Sequence, residues 1–130
     1  VSGFYIKRPK NLILTTSHKH APKQEKKVAQ DLNGNTTPKS GAGNIKGDVH
    51  TFVGNYHIDC KCTYHKSYSV KLEDWDKYKK QANDMAKHPV LQHDFIDKET
   101  GKTKQKLVTI EYNLLKYYQE LEEKYYKEKK

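Results

Sequence analysis

Residues 47–63 read GDVHTFVGNYHIDCKCT, and the fold turns on how this stretch is read. Apolar and polar positions alternate on either side of Gly54-Asn55, a pair suited to a two-residue reversal, so the stretch reads as two short strands in a hairpin. Side chains alternate faces along a strand, which places Asp59 and Lys61 on one face and Cys60 on the other. With Gly54-Asn55 as the loop, Val53 pairs with Tyr56, His50 falls opposite Asp59, and Asp48 falls opposite Lys61. Asp48, Asp59 and Lys61 then share one patch, while Val49, Val53, Ile58, Cys60 and Cys62 form the other side. Two carboxylates and an amine held together suit a divalent cation and the hydrolysis of a phosphodiester, which needs a nucleophile, charge neutralisation and orientation. Asp48 and Asp59 are the expected ligands of magnesium or manganese, with the backbone carbonyl of Cys60 as a third. Lys61 would orient or help deprotonate the attacking water and stabilise charge growing on phosphorus.

Upstream, Pro22 suits the first turn of a helix and Gly34 its end. Val28, Ala29 and Leu32 form its apolar stripe, and Glu25 lies on the same stripe. An acid there is either paired, exposed or turned toward a site; next to the hairpin, Glu25 becomes a candidate ligand of the same metal or of a second one. Residues 33–47, NGNTTPKSGAGNIKG, form a Gly/Ser/Thr-rich loop. It reads either as a generic turn or as a place where backbone N–H groups approach a phosphate, with Lys39 and Ser40 in contact. Its glycine and lysine spacing is not that of a Walker loop.

Downstream, Val70 to His88 read as a helix with Leu72, Trp75, Tyr78, Ala82 and Met85 on its apolar face, ended by Pro89. Pro89 to Ile96 and Lys106 to Ile110 read as strands around a turn at Gly101. Tyr112 to Lys130 read as an amphipathic helix with Leu114, Leu115, Tyr118, Leu121 and Tyr125 on one side. Residues 1–20 read as a basic, irregular arm, with one apolar run from Asn11 to Thr15 that suits an edge strand.

The 130 residues suit a single domain, and an apolar content of 34% makes its core lean. Lys and Arg number 25 against 16 Asp and Glu, a net charge of +9. Such a balance points to a polyanionic partner, usually nucleic acid, against the alternative of solubility alone. No apolar run reaches the ~18 residues of a membrane span, and no signal peptide is readable. Cys60 and Cys62 are too close for an unstrained disulfide and suit buried core positions in a reducing, cytoplasmic setting. Zinc is the rival use of His57, Cys60, Cys62 and His65, but His57 and Cys60 fall on opposite strand faces and the C-x-C spacing lacks the usual turn. His50, on the same face as Asp59, is a candidate phosphate contact.

A helix Glu, a Gly/Ser loop, an Asp opening a hairpin, a D-x-K strand and then a helix resemble the PD-(D/E)xK restriction-endonuclease-like nucleases. Within them, QEKKVAQDLNG, TPKSGAG, KGDV, IDCKCT, YSVKLEDWDKYKKQA and HPVLQHDF resemble the archaeal-type Holliday junction resolvases and their phage relatives. The likeness spans residues 25 to 95. It implies an α/β fold with a restriction-endonuclease-like core, a mixed central sheet flanked by helices, and does not cover the two ends; the chain thus divides into a basic arm (1–20), a nuclease core (21–110) and a C-terminal helix (111–130) of the same domain. It implies a homodimer that cuts branched or duplex DNA with Mg2+ or Mn2+, leaving 5′-phosphate and 3′-hydroxyl ends. Glu25, Asp48, Asp59 and Lys61 would be the catalytic set, with Ser40 at the scissile phosphate and Lys39, Lys46 and His50 as further DNA contacts. Gly47 departs from the family's proline, and Asp59 stands where many members have Glu. Gln81 resembles a helix Gln that some related nucleases use near the site, against the plain reading of an exposed helix position. The alternatives are another nuclease of the superfamily (a nickase, a flap or mismatch nuclease, or a restriction-type enzyme) and a non-catalytic basic DNA-binding module.

Overall fold

The computed structural model describes residues 16–37 and 48–129. In chain order these form α1 (Thr16–Asp31), β1 (Gly34–Thr36), β2 (Val49–Thr51), β3 (Tyr56–Thr63), α2 (Leu72–Asp84), β4 (His88–Ile96), β5 (Thr103–Thr109) and α3 (Tyr112–Lys129). The strands make one mixed sheet in the order β1-β2-β3-β4-β5. Only β3 and β4 run parallel. A parallel pair needs a crossover, which α2 supplies. The fold class is therefore α/β, a five-stranded mixed sheet flanked by helices. Among the described residues no helix is long and apolar enough to cross a membrane.

The helices divide the sheet into two sides. Val28 of α1 packs with Val49, Ile58, Cys60 and Val90 in the main core cluster. On the other side Ala82 of α2 is fully buried, and Tyr78 of α2 lies against Lys61. The parallel register places Leu91 beside Asp59 and His93 beside Lys61, so these share the α2 side. The core is lean, as the composition implies. Among the described residues the buried set includes seven polar or charged side chains, Gln24, Thr51, His57, Asp59, Gln92, His93 and Asp94, a large share for so small a core.

The hairpin differs from its expected register by two residues. Its loop has four residues, Phe52 to Asn55, because the Thr51 hydroxyl takes the Tyr56 N–H at 3.0 Å and itself donates to the Val53 carbonyl at 2.8 Å. Gly54 (φ 81°) and Asn55 (φ 56°) make the left-handed turn. Consequently His50 pairs with His57 instead of Asp59, and Val49 pairs with Ile58. Asp48 donates its N–H to the Ile58 carbonyl at 2.9 Å, so it flanks Asp59 rather than Lys61. A two-residue slip preserves the face of every side chain, whereas a one-residue slip would have inverted them all. Val53, expected on the strand face of Val49 and Ile58, is exposed in the loop instead.

Other boundaries moved for local reasons. α1 begins at Thr16, so residues 16–20 of the expected irregular arm are helical and Pro22 lies inside the helix. The helix stops at Asp31 as Asn33 turns left-handed (φ 54°), and Leu32 is exposed rather than part of the packed stripe. Gly34 does not cap the helix; it opens β1, within the stretch expected to be loop, where a Cβ would sit 2.7 Å from the His50 carbonyl oxygen. α2 is shorter than 70–88 because Ala86 turns left-handed (φ 54°), and Pro89 lies within β4 instead of ending the helix. Leu72 is exposed. The last strand begins at Thr103, ahead of Lys106. In α3 only Leu114 is buried, while Leu115, Leu121 and Tyr125 of the expected stripe are exposed and Tyr118 donates to the Tyr56 hydroxyl at 2.7 Å. The expected edge strand at Asn11 to Thr15 lies outside the described residues.

Candidate active site

β3 presents His57, Asp59 and Lys61 in succession toward α2, because alternate residues of a strand share a face. Beside them β4 contributes His93. α2 contributes Tyr78, and Tyr68 comes from the segment before it. Asp48 enters from the start of β2. Its carboxylate accepts the Cys60 N–H at 2.7 Å, replacing the ladder bond that a longer β2 would have made. In a strand the N–H and C=O of one residue point to the same edge, so the Cys60 carbonyl also faces the Asp48 side.

The electrostatics single out Asp59. It is 8% exposed, and its Oδ2 has no hydrogen-bond partner. Burial raises its pKa to about 6, the neighbouring Asp48 adds to the rise, and Lys61 opposes it. Burial works against the Lys61 ammonium, but Tyr78, Asp59 and Asp48 outweigh it and raise its pKa. Lys61 is therefore a cation at neutral pH, with its Nζ 5.6 Å from the centre of the Tyr78 ring. Burial likewise raises the Tyr68 and Tyr78 hydroxyls, which keep their protons. His93 is neutral through burial, its ring 3.8 Å from that of Tyr68 and its Nε2 3.2 Å from the Thr109 hydroxyl.

Below Asp59 lies a histidine pair. His57 is fully buried, and its pKa falls to about 4, first through burial and then through His50. The two rings meet edge-on at 4.7 Å. Gln81 lies beside His57, but outside hydrogen-bond geometry, and neither ring nitrogen finds a partner. His50 thus packs on His57.

The structure brings Asp48, Asp59 and Lys61 together and sets Glu25 apart from them. Glu25 belongs to α1, which packs on the opposite side of the sheet; together with burial and Asp48 it raises the pKa of the Cys60 thiol. Among the described residues neither cysteine forms a disulfide, and both are buried, as expected. Lys39, Ser40 and Lys46 lie outside the described residues.

No family model, curated protein or solved structure matches this chain. The chemistry of the site thus rests on its own residues. Among the described residues no three His, Cys, Asp or Glu side chains converge closely enough to hold a metal ion. The two carboxylates nevertheless fit magnesium, which keeps several waters and binds through one or two protein carboxylates. Asp59 offers an unpartnered oxygen, and its repulsion with Asp48 is the kind a cation relieves.

The sequence reading missed a second polar group on the α1 side. Gln24 donates to the Lys61 carbonyl at 2.8 Å and to Gln92 Oε1 at 2.7 Å, and Gln92 donates to Asp94 at 2.6 Å. Lys106 reaches both oxygens of Asp94, at 2.9 and 3.0 Å. The signal was the polar run Gln92, His93 and Asp94 in the middle of an otherwise apolar strand. All three residues are buried.

Proposed function

We propose that this protein is a metal-dependent, structure-selective DNA endonuclease with a restriction-endonuclease-like core, and specifically a Holliday junction resolvase. The observation that carries the reading is the buried Asp59 carboxylate, its Oδ2 without a partner, flanked by Asp48 and Lys61. Asp48 and Asp59 would hold Mg2+ or Mn2+, with the Cys60 carbonyl on the same edge. When bound, the ion would activate water and neutralise charge on the scissile phosphate. Lys61, held as an ammonium, donates hydrogen bonds to the phosphoryl oxygens and offsets the charge that builds there; its raised pKa makes it a poor general base. Tyr68 and Tyr78 keep neutral hydroxyls beside it. Glu25, on the α1 side of the sheet, would act through water or on a second ion. The net charge of +9 favours phosphate contacts over base readout. A homodimer and a reducing, cytoplasmic setting belong to the same proposal.

A four-way junction, a nicked duplex and a linear duplex, each incubated with protein and Mg2+, test it. Cleavage of the junction in preference to the others is the expected result. Equal cutting of linear duplex leaves a nuclease but removes the resolvase assignment. A second reading, a non-catalytic DNA-binding module, draws on the Asp48 carboxylate's structural bond to the Cys60 N–H. It requires that no substrate is cut with either metal.

A further inference from the structure

α1 lies over β1, β2 and β3 and reaches β4 through Val28 and Gln24, and among the described residues it leaves the same side of β5 open. The gap is an open cleft of about 490 Å³ between the flank of α1 and the β4–β5 hairpin. Lys23, Lys26 and Lys27 line one wall, and Lys102 and Lys106 line the other. Asp94 is the one carboxylate among the lining residues, and Lys106 already pairs with it at 2.9 Å. Lys27 pairs with Asp31 at 3.1 Å. Among the described residues Lys23, Lys26 and Lys102 have no carboxylate partner.

The arrangement differs from an ordinary solvated charged face. On α3, Lys116 and Lys124 alternate with Glu120, Glu122 and Glu123, so opposite charges interleave. Around the cleft, cations converge from two elements on one concavity, which concentrates positive potential there. Lys23, Lys26 and Lys27 share one helix face, and with Gln30 they make a rim of ~10 Å at 1.5 Å per residue. Lys102 to Lys106 make a facing rim of ~13 Å. A DNA strand presents one phosphate per ~3.4 Å of duplex axis, so the rims span about three and about four phosphates.

We infer that this cleft is a second DNA site, which takes the phosphate backbone of one strand on the side of the sheet opposite Asp59 and Lys61. The inference rests on the reading that the protein acts on DNA, and it adds where a further arm of a branched substrate is held. A duplex engaged only at the carboxylates would leave the cleft unused; a branched molecule can reach both sides.

The test is fluorescence anisotropy with a labelled four-way junction in EDTA, titrated with NaCl. It compares wild type, the triple variant Lys23→Ala/Lys26→Ala/Lys102→Ala, and a charge-matched control, Lys116→Ala/Lys124→Ala/Lys127→Ala. All six lysines are exposed, so folding should survive, as circular dichroism can check. The cleft variant is expected to bind at least about tenfold more weakly and to flatten the log Kd against log salt slope by about 2 to 3, at ~0.9 per lost phosphate contact. The control is expected to change the slope by less than about 1. Equal losses in the two triples, or a wild-type slope in the cleft variant, would overturn the cleft. If the cleft variant binds as wild type while the wild type still cuts, the cleft fails and the nuclease reading stands. If the cleft variant loses binding but the wild type cuts nothing, the cleft stands and the nuclease reading fails.

Discussion

Two aspartates are buried in neighbouring strands, Asp59 in β3 and Asp94 in β4, and the protein treats them in opposite ways. Asp94, on the α1 side, is 2% exposed, and both its oxygens are bonded to Lys106, one of them also to Gln92. Asp59, on the α2 side, is 8% exposed, keeps one oxygen without a partner, and has a carboxylate neighbour that makes its charge harder to hold. A buried charge that is fully paired can serve structure, whereas one left uncompensated costs stability and persists where a ligand or a reaction uses it. The two sides of the sheet therefore divide the work: the α1 side pairs its buried carboxylate and leaves only Gln24 Oε1 without a partner among the described residues, and the α2 side leaves a carboxylate oxygen and three imidazole nitrogens without one.

That division is tested most severely by chemistry. Asp59→Asn and Lys61→Ala should each reduce junction cleavage by about a thousandfold or more, roughly 4 kcal/mol in the barrier. Junction binding in anisotropy should persist, and Asp59→Asn should bind equally or more tightly because a negative charge facing phosphate is gone. Retention of cutting by both variants would remove the site assignment. Substitution of Asp94 tests nothing of this kind, since its partners are structural.

For stability the comparison runs the other way. Lys106→Ala leaves the Asp94 carboxylate buried with Gln92 alone, and should destabilise the fold by about 2 kcal/mol in urea titrations. The figure sits below the usual range for a broken buried pair because the Lys106 side chain is 37% exposed. An unchanged midpoint would mean that water replaces the ammonium without cost. Asp59→Asn should stabilise the metal-free protein by about 3 kcal/mol at pH 8, since it removes a charge whose pKa rises from 3.8 to about 6 on folding. The same variant should lose the rise in melting temperature that millimolar Mg2+ gives the wild type, because the ion binds the folded carboxylates and not the unfolded chain. Equal Mg2+ responses in wild type and variant would show that Asp59 holds no metal.

Much of this contrast was legible in the sequence, and the reasons for what was not are specific. The faces of Asp59, Lys61 and Cys60 follow from the two-residue period of a strand, and they survive the register error because that error is even. The register itself was hidden by the Thr51 hydroxyl, which substitutes for a backbone group and lengthens the loop to four residues. The start of α1 was hidden because residues 16–20, TSHKH, carry no apolar period and Pro22 resembles a first-turn residue. Glu25 lies on its helix stripe as read, yet a stripe does not specify which side of the sheet the helix covers. The Asp94 network escaped because its members come from α1, β4 and β5, and no local pattern links Gln24 to Lys106. A strand with three adjacent polar residues that still reads as buried was the available clue.

The smallest effect is a cancellation within the α2 side itself. Asp59 and His57 are two residues apart on one strand face, and their linkages to pH oppose each other. The Asp59 pKa is higher in the folded protein, so its contribution to stability is fully present below about 3.8 and is lost as pH rises through about 6. The His57 pKa is lower in the folded protein, so its contribution is present above about 6.5 and is lost as pH falls toward about 4. Each shift is about two units or slightly more, so in EDTA the pair's summed contribution to wild-type stability should vary by less than about 1 kcal/mol between pH 4 and 6.5. Single variants should expose the hidden slopes with opposite signs. Asp59→Asn leaves His57 alone, so its stability relative to wild type should fall on acidification. His57→Phe leaves Asp59 alone, so its stability relative to wild type should rise on acidification, whatever its absolute value. Chemical denaturation at several pH values measures both. Slopes of the same sign in the two variants would show that these buried groups do not hold the protonation states that separate the α2 side from the α1 side.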